Sequence, residues 1–377
     1  MFNRIQKVES IEDSSRFLWG PRQCGKSSLL KKLFPQSPYF DLLRSEEFHR
    51  LTFEPWLLRE SLGENPKFPI IIDEVQKIPL LLDEVQWMIV NKGFQFILCG
   101  SSARKLKRGG GNLLDGRAIR YELFPLVSKE IPDFDLIRAL NHGLLPKHYL
   151  SNSPKIFLKS YIGDYLQQEI VAEALIRNIN SFAKFLETAA FSNGEMVNYQ
   201  NIATDCGVSS PTAKEYFQIL SDTLLGRFVE SYRKKAKRRV IHAPKFYFFD
   251  VGIVNSLLNR ENIIPKTEVF GRAFEHFIFQ ELIAHSHYSG LSYDIKYWRT
   301  SSGFEVDFIL GDEVAIEVKG TDLVHHYQLK NLKAFNEEYK TKRSIVVSLD
   351  LRPRQIDNIE ILPWKVFLEE LWEGKVI

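Results

Sequence analysis

Short apolar runs alternate with segments of helical periodicity over the first 125 residues. The runs predict strands at RFLW (16–19), YFDLL (39–43), III (70–72), FQFILCGSS (94–102) and AIRYELF (118–124). The intervening segments place apolar residues three and four positions apart, which predicts helices. Strands that alternate with helices are typical of a parallel sheet covered on both faces, so the fold class predicted here is α/β.

The pattern becomes helical after residue 128. Apolar residues recur at three- and four-residue intervals over 153–175 and 181–192, which predicts a helical lid. The segment 198–220 predicts two helices around a tight turn at Gly207, with Ser210 as N-cap and Pro211 at the first helical position of the second. The strands expected at 227–232 and 239–249 would form the wing of a winged helix.

These changes of pattern divide the chain into four predicted domains. They are a parallel-sheet core at 1–128, a helical lid at 129–190, a winged helix at 191–258 and an α/β domain at 259–377. A chain of 377 residues is long enough for more than one hydrophobic core.

Composition excludes several classes of protein. Cys24, Cys99 and Cys206 lie far apart and form no C-x-x-C pattern, so neither a zinc site nor a disulfide framework is expected. No apolar run approaches the roughly 20 residues needed to cross a bilayer. We therefore expect a cytoplasmic protein that does not bind a membrane. The formal net charge of +3 does not discriminate among partners, so only local charge clusters are informative.

The stretch GPRQCGKSS (20–28) has the spacing G-x-x-x-x-G-K-S/T between a predicted strand and a predicted helix. Such a loop directs backbone N–H groups at phosphate, its Lys contacts the β and γ phosphates, and its first Ser ligates Mg²⁺. The predicted binders of ATP and Mg²⁺ are Gly20, Gln23, Cys24, Gly25, Lys26, Ser27 and Ser28, of which Lys26 contacts phosphate and Ser27 the metal.

Two further strand ends supply the predicted chemistry. The run IIIDE (70–74) ends in Asp73, a second predicted Mg²⁺ ligand, and Glu74, the predicted base for the attacking water. The strand ending at 100 is followed by Ser101 and Ser102, which we predict to sense the γ-phosphate.

These motifs, with GSSARKL (100–106) and LLDGRAIRYELFPL (113–126), resemble the AAA+ superfamily, and in particular prokaryotic AAA-type ATPases with a poorly characterised carboxyl-terminal region. In that superfamily an arginine before the fifth core strand reaches a neighbouring subunit's ATP site. The matching residue is Arg117, and Arg104 is the second candidate. The resemblance implies a homo-oligomer, with a hexameric ring as one form.

A basic run, RKKAKRR (233–239), lies between the two predicted wing strands. Its cations are Arg233, Lys234, Lys235, Lys237, Arg238 and Arg239. Such a run either contacts nucleic-acid phosphate or forms a solvated face, and the adjacent helix–turn–helix favours DNA as partner. Thr212, Lys214, Glu215 and Gln218 on the outer face indicate no base preference.

The segment GFEVDFILGDEVAIEVKG (303–320) resembles the hairpin of the PD-(D/E)xK nuclease fold, in which acids hold a divalent metal. The matching residues are Asp307, Glu317 and Lys319, with Glu275 as the acid and Gln328 as the polar residue of flanking helices. Asp307 shares a face with Glu317 only if the hairpin loop has an odd length, such as 311–313; a two-residue turn would place it opposite Ile316. The sequence leaves this register open.

The combined hypothesis is an ATP-hydrolysing AAA+ protein that engages or remodels DNA, with a carboxyl-terminal domain that cuts or clamps it. One alternative is a nucleotide switch that recruits a protein partner. The other is a metal-dependent nuclease gated by ATP.

Overall fold

The computed structural model describes residues 2–8, 14–102, 104, 114, 117–163, 178–234, 238–260 and 262–377. The chain forms two compact units. The first unit contains Met1–Pro125 and Asp222–Leu225, and the second contains Leu126–Ser221 and Gly226–Ile377. The finer division at residues 190 and 258 stays a prediction.

The first unit is built on a five-stranded parallel sheet, as the alternating pattern predicts. Its strands are β1 (Ser15–Trp19), β2 (Tyr39–Asp41), β3 (Ile70–Asp73), β4 (Phe96–Gly100) and β5 (Ala118–Glu122), in the order β2-β3-β4-β1-β5. All five carboxyl ends therefore lie at one edge. The order of connection reverses beside β1, and ligands of open α/β sheets bind at such a point.

Within the described residues, the helices that connect these strands are α1 (Lys26–Leu33), α2 (Ser45–Phe53), α3 (Leu57–Leu62) and α4 (Leu81–Lys92). The buried strand residues Phe17, Ile72 and Leu98 pack with Leu51, Val85 and Met88 of the helices in one hydrophobic core. This core is why the sheet's continuous apolar runs are stable in water.

The second unit has helices before, between and after its strands. They are α5 (Leu136–His142), α6 (Pro146–Leu150), α7 (Pro154–Ser160), α8 (Ile179–Phe191), α9 (Tyr199–Cys206), α10 (Ser210–Asp222), α11 (Val251–Leu257), α12 (Glu268–Tyr288), α13 (Lys330–Asn336) and α14 (Trp364–Trp372). Part of the helical segment predicted at 153–175 lies outside the described residues.

An eight-stranded mixed sheet forms the rest of this unit. Its strands are β6 (Gly226–Ser231), β7 (Lys245–Phe248), β8 (Ile295–Arg299), β9 (Glu305–Leu310), β10 (Val314–Lys319), β11 (Arg343–Ser348), β12 (Arg354–Ile356) and β13 (Ile359–Pro363), in the order β12-β13-β11-β10-β9-β8-β6-β7. The second predicted wing strand is shorter than expected, since it begins at Lys245, and Val240 forms only an isolated bridge with Thr300. Both wing strands join this larger sheet, because β6 also pairs with β8.

A buried carboxyl group ties together distant segments of the second unit. Glu281 of α12 is inaccessible to solvent and accepts hydrogen bonds from the Ser128 amide at 2.7 Å, the Ser128 hydroxyl at 3.0 Å and Trp372 Nε1 at 2.7 Å. Burial raises the pKa of Glu281 to about 7, although these hydrogen bonds oppose the shift.

No helix within the described residues has the length and apolarity required to cross a membrane.

We expect the stability of the second unit to fall as pH rises through neutrality. The pKa of Glu281 is near 4.5 unfolded and about 7 folded, so its contribution is fully present below pH 4.5 and lost as pH rises through 7. The free energy of unfolding should decrease by about 2 kcal/mol between pH 5.5 and pH 8 through this group alone. Urea unfolding of wild type and Glu281→Gln, followed by circular dichroism, measures it. Equal pH dependence in the two proteins would contradict the assignment.

Candidate functional sites

The phosphate-binding loop begins where two strands approach closely. The Leu123 amide donates to the Trp19 carbonyl at 2.7 Å, and a Cβ added at Gly20 would lie 2.3 Å from the Leu123 carbonyl oxygen. Gly20 is therefore required by this close approach, not by backbone conformation. Gly25, at the start of α1, does need a left-handed conformation, with φ at 99°.

A residue outside the motif anchors this loop. The Arg4 guanidinium donates to the carbonyls of Cys24 and Phe124, each at 2.6 Å, and to that of Pro125 at 3.2 Å. The loop is thus tied to the chain that leaves β5. Sequence analysis missed Arg4, because its distance of 20 residues from Cys24 belongs to no motif.

Lys26 lies in the first turn of α1 and is 5% exposed. Its Nζ donates to the carbonyls of Gly20 at 2.7 Å and Pro21 at 3.0 Å, so the ammonium lies within the loop. Burial alone would lower the pKa of Lys26, but the neighbouring side chains of Cys24 and Cys99, followed by Glu74 and Asp73, raise it. Lys26 is therefore a fixed positive charge at the loop. Cys24 and Cys99 are buried thiols, and Gln23 and Ser28 are exposed.

Asp73 and Ser27 both lie beside the Tyr39 hydroxyl. Tyr39 at the start of β2 donates to Asp73 Oδ2 at 2.5 Å. Burial, followed by the bond to Asp73, raises the pKa of Tyr39, so it stays a neutral donor, while the nearby Ser27 side chain lowers that pKa. A carboxylate and a hydroxyl are oxygen ligands of the kind that Mg²⁺ prefers, so these residues fit the predicted Mg²⁺. Tyr39 carried no sequence signal, since only the pairing of β2 with β3 brings it to Asp73.

Glu74 is held by a glutamine that sequence analysis did not single out. The Gln76 side-chain amide donates to Glu74 Oε2 and, at 3.1 Å, to Ser101 Oγ. The Glu74 backbone has φ at 59°, a strained conformation that clusters at functional sites. A Cβ added at Gly100 would lie 2.2 Å from Gln76 Oε1, so the glycine makes room for this amide. The proposed base and the proposed phosphate sensor are therefore linked.

The other serine and the two candidate arginines differ in position. Ser102 Oγ accepts from the Arg104 amide at 3.0 Å and is buried. The Arg104 side chain is 8% exposed and pairs with Asp222 at 2.7 Å within the same unit. Arg117 lies immediately before β5 and is exposed. Arg117 is thus the more exposed of the two candidates.

The first unit thus brings a buried ammonium, a hydroxyl, two carboxylates and a serine to the carboxyl edge of one sheet. Mg²⁺ bound with a nucleotide would be held by Ser27 and Asp73, and would neutralise phosphate charge there. Lys26 would balance further phosphate charge, and Glu74 is placed to accept a proton from water. This set of groups suits hydrolysis of a nucleoside triphosphate.

In the second unit, α9 and α10 are joined at Gly207, which has φ at 66°. Ser209 Oγ accepts from the Thr212 amide at 3.3 Å, so the cap lies one residue before the predicted Ser210. Ala213, Tyr216, Phe217 and Leu220 are buried as the inner face. Lys214, Glu215 and Gln218 are exposed on the outer face.

The basic run is less positive at the surface than its sequence indicates. Arg233 pairs with Glu230 at 3.3 Å, Lys234 with Asp312 at 2.7 Å, and Arg238 with Glu337 at 2.6 Å and Glu338 at 2.7 Å. Arg239 is exposed, and Lys235 and Lys237 lie outside the described residues. Three of the six cations are therefore paired with acids. The partner of Arg233 lies three residues away, whereas those of Lys234 and Arg238 are distant in sequence.

The predicted acidic cluster depends on the β9–β10 hairpin. Leu310 pairs with Val314 and Phe308 with Ile316 around the three-residue loop 311–313, and this register places Asp307 opposite Glu317. Asp307 Oδ2 accepts from the Val318 amide at 2.7 Å. The odd-length alternative is the one that the structure adopts.

The helix that follows supplies a different polar residue from the predicted one. Asn331 donates to Glu317 Oε1 at 2.9 Å. Gln328 instead accepts from the His325 amide at 2.9 Å and caps its own turn. The assignment of Gln328 to the cluster is therefore wrong, because Gln328 lies in the turn before α13 and its side-chain oxygen is used to cap that turn.

The acidic cluster does not fit a divalent metal. Within the residues that the structure describes, no group of three or more His, Cys, Asp or Glu side chains is arranged to hold one. Glu317 pairs with Lys319 at 2.6 Å, and Glu275 accepts from Tyr247 and from Lys245. These donors each occupy one oxygen of a carboxylate that a metal would require, and Glu317 Oε2 is buried without a hydrogen-bond partner.

Three family models match the chain. Residues 13–132 match an AAA domain, residues 133–263 a domain of unknown function (DUF8612), and residues 270–367 another domain of unknown function (DUF4143). The first match supports a P-loop ATPase of the AAA type, in agreement with the sheet and its loop.

Uncharacterised proteins of Mycobacterium bovis and Mycobacterium tuberculosis are each 24% identical over 316 residues, covering 81% of this chain and 70% of the relative. One from Methanocaldococcus jannaschii is 22% identical over 346 residues, covering 83% of this chain and 76% of the relative. Among solved structures, the Aeropyrum pernix ORC1 protein in complex with DNA is 11% identical, covering 65% of this chain and 86% of that chain. Its TM-score of 0.25 is too low to support an inference about fold or partner.

Proposed function

We propose that this chain binds ATP with Mg²⁺ and hydrolyses it in the first unit. The observation that supports this most directly is the convergence of Lys26, Ser27 and Asp73 at the carboxyl edge of the parallel sheet, with Glu74 beside them. Gly20, Gln23, Cys24, Gly25 and Ser28 form the rest of the phosphate loop, and Ser101 and Ser102 face the γ-phosphate.

Substitution of Lys26 by Ala should lower the steady-state ATPase rate by about 100-fold or more, because the loop then lacks the charge that balances phosphate. Phosphate release in the presence of Mg²⁺ measures this. Lys32→Ala, an exposed lysine of the same helix, is the matched control and should retain the wild-type rate. Glu74→Gln should still bind ATP but hydrolyse it slowly. An unchanged rate in Lys26→Ala would rule out this site.

We further propose that the protein acts as a homo-oligomer in which Arg117 of one subunit reaches the ATP site of the next, with a hexameric ring as one form. The exposed position of Arg117 directly before β5 supports this. Arg104 is already paired with Asp222.

Mixing two inactive variants tests the oligomer. Arg117→Ala subunits keep an intact phosphate loop, and Lys26→Ala subunits keep Arg117, so a mixture should recover part of the ATPase rate if the arginine acts between subunits. The control replaces the second partner with Lys26→Ala/Arg117→Ala, which has no arginine to offer. Equal rates in the two mixtures would show that Arg117 does not act between subunits.

We propose DNA as the partner that ATP hydrolysis acts on, through the helix–turn–helix and the basic run. The packed inner face and exposed outer face of α10 support this. The ion pairs of Arg233, Lys234 and Arg238 favour the alternative, a nucleotide switch that recruits a protein, because they reduce the charge available to phosphate.

DNA binding should depend on salt through the cations of the run. Replacing Lys235, Lys237 and Arg239 with Gln should reduce the magnitude of the slope of log affinity against log salt by about 3, because about three phosphate contacts are lost. The matched control replaces the ion-paired Arg233 and Lys234, and should change the slope less. Titrations with duplex, forked and single-stranded DNA, each with an ATPase assay, measure both effects. Unchanged slopes and no stimulation by DNA would favour the protein-partner alternative.

For the second unit we propose clamping rather than cutting. Cutting, by a nuclease gated by ATP, would require a metal held by Glu275, Asp307 and Glu317 near Lys319. The pairing of these carboxylates with protein donors argues against that role.

A further inference from the structure

Lys245, the first residue of β7, lies inside the acidic cluster of the second unit. It is 3% exposed, and its Nζ lies 2.6 Å from Glu305 Oε1 and 3.5 Å from Glu275 Oε1. Lys245 lies outside the sequence segment that indicated this cluster, and Glu305 lies within that segment but was not singled out. The pairing of β6 with β7 and β8, and of β8 with β9, brings the two residues together.

The ammonium of Lys245 is charged despite its burial. Burial alone would lower the pKa of Lys245, but Glu275, Glu305 and Asp307 outweigh it and raise the pKa. A buried ammonium that meets several carboxylates performs the electrostatic task of a bound cation, which is to neutralise them in a medium of low dielectric constant.

The remaining groups complete this neutralisation. Glu305 also pairs with Arg299 at 2.7 Å, and Glu317 with Lys319 at 2.6 Å. Asp307 Oδ2 accepts from the Val318 amide at 2.7 Å. Lys245, Arg299 and Lys319 thus already pair with Glu275, Glu305 and Glu317, so a divalent ion would have to displace these cations.

The cluster is not closed to ions. A cavity of about 460 Å³ reaches it, and its lining includes Lys245, Arg272, Glu275, Arg299 and Glu305. Ions therefore have access to Lys245, Glu275 and Glu305, and a failure to bind metal there would come from the charges of these groups.

We propose that the Lys245 ammonium occupies the place of a divalent cation in this cluster, so that the second unit retains its carboxylates without binding Mg²⁺ or Mn²⁺. The inference does not depend on ATP hydrolysis, since every residue in it belongs to the second unit.

Mn²⁺ titration of the full chain, followed by electron paramagnetic resonance, tests this. An Asp73→Asn background removes the metal ligand of the nucleotide site. In that background the otherwise wild-type chain should show no saturable Mn²⁺ binding below about 1 mM. Lys245→Met, which keeps the length of the side chain and removes its charge, should bind Mn²⁺ at least about tenfold more tightly. Mn²⁺ should also raise its melting temperature.

Two controls locate the effect. Lys333→Met removes a surface lysine that is paired with Asp357 at 2.7 Å, and it should gain no affinity. Glu305→Gln added to Lys245→Met should abolish the gain.

Two outcomes would overturn the proposal. One is saturable Mn²⁺ binding in the Asp73→Asn chain that Glu317→Gln abolishes, and this titration decides the matter even if Lys245→Met does not fold. The other is a folded Lys245→Met variant with no gain in affinity.

Discussion

The close approach of Gly20 to the Leu123 carbonyl positions the nucleotide site. It places the start of the phosphate loop against the chain that leaves β5, and Arg4 ties the end of the loop to the same chain. Lys26 follows at the first turn of α1, and pairing of β2, β3 and β4 brings Tyr39, Asp73 and Ser101 to the same edge. The site therefore depends on backbone spacing before it depends on any catalytic side chain.

Charge is distributed differently in the two units. In the first, a single buried ammonium faces two carboxylates near a hydroxyl pair, and an incoming triphosphate and cation would complete the balance. In the second, lysines and arginines already neutralise the carboxylates, and even the basic run is largely paired. Breaking a buried ion pair of this kind costs free energy, because it leaves an uncompensated charge in the interior. This contrast is the physical reason to place chemistry in the first unit and binding in the second.

Strand prediction succeeded where burial is continuous. The strands that begin at Ile70 and Phe96 are apolar on both faces, which is typical of strands in a parallel sheet covered on both sides. It was less accurate for the second wing strand, where 239–244 looks extended but pairs with the chain only through Val240. One family model spans both the predicted lid and the predicted winged helix, whereas periodicity alone suggested two domains.

The sequence by itself determined the phosphate-loop motif, the parallel sheet, and the candidate acids of both units, because spacing along one strand or loop is a local property of the chain. Only the tertiary structure decided the register that sets Asp307 opposite Glu317, the substitution of Asn331 for Gln328, and the partners Arg4, Tyr39, Gln76 and Lys245. Most of these contacts join residues 14 to 60 or more positions apart, and even Gln76 meets Ser101 across 25 positions. Packing and strand pairing choose such neighbours, and no periodicity in the sequence records which ones they choose.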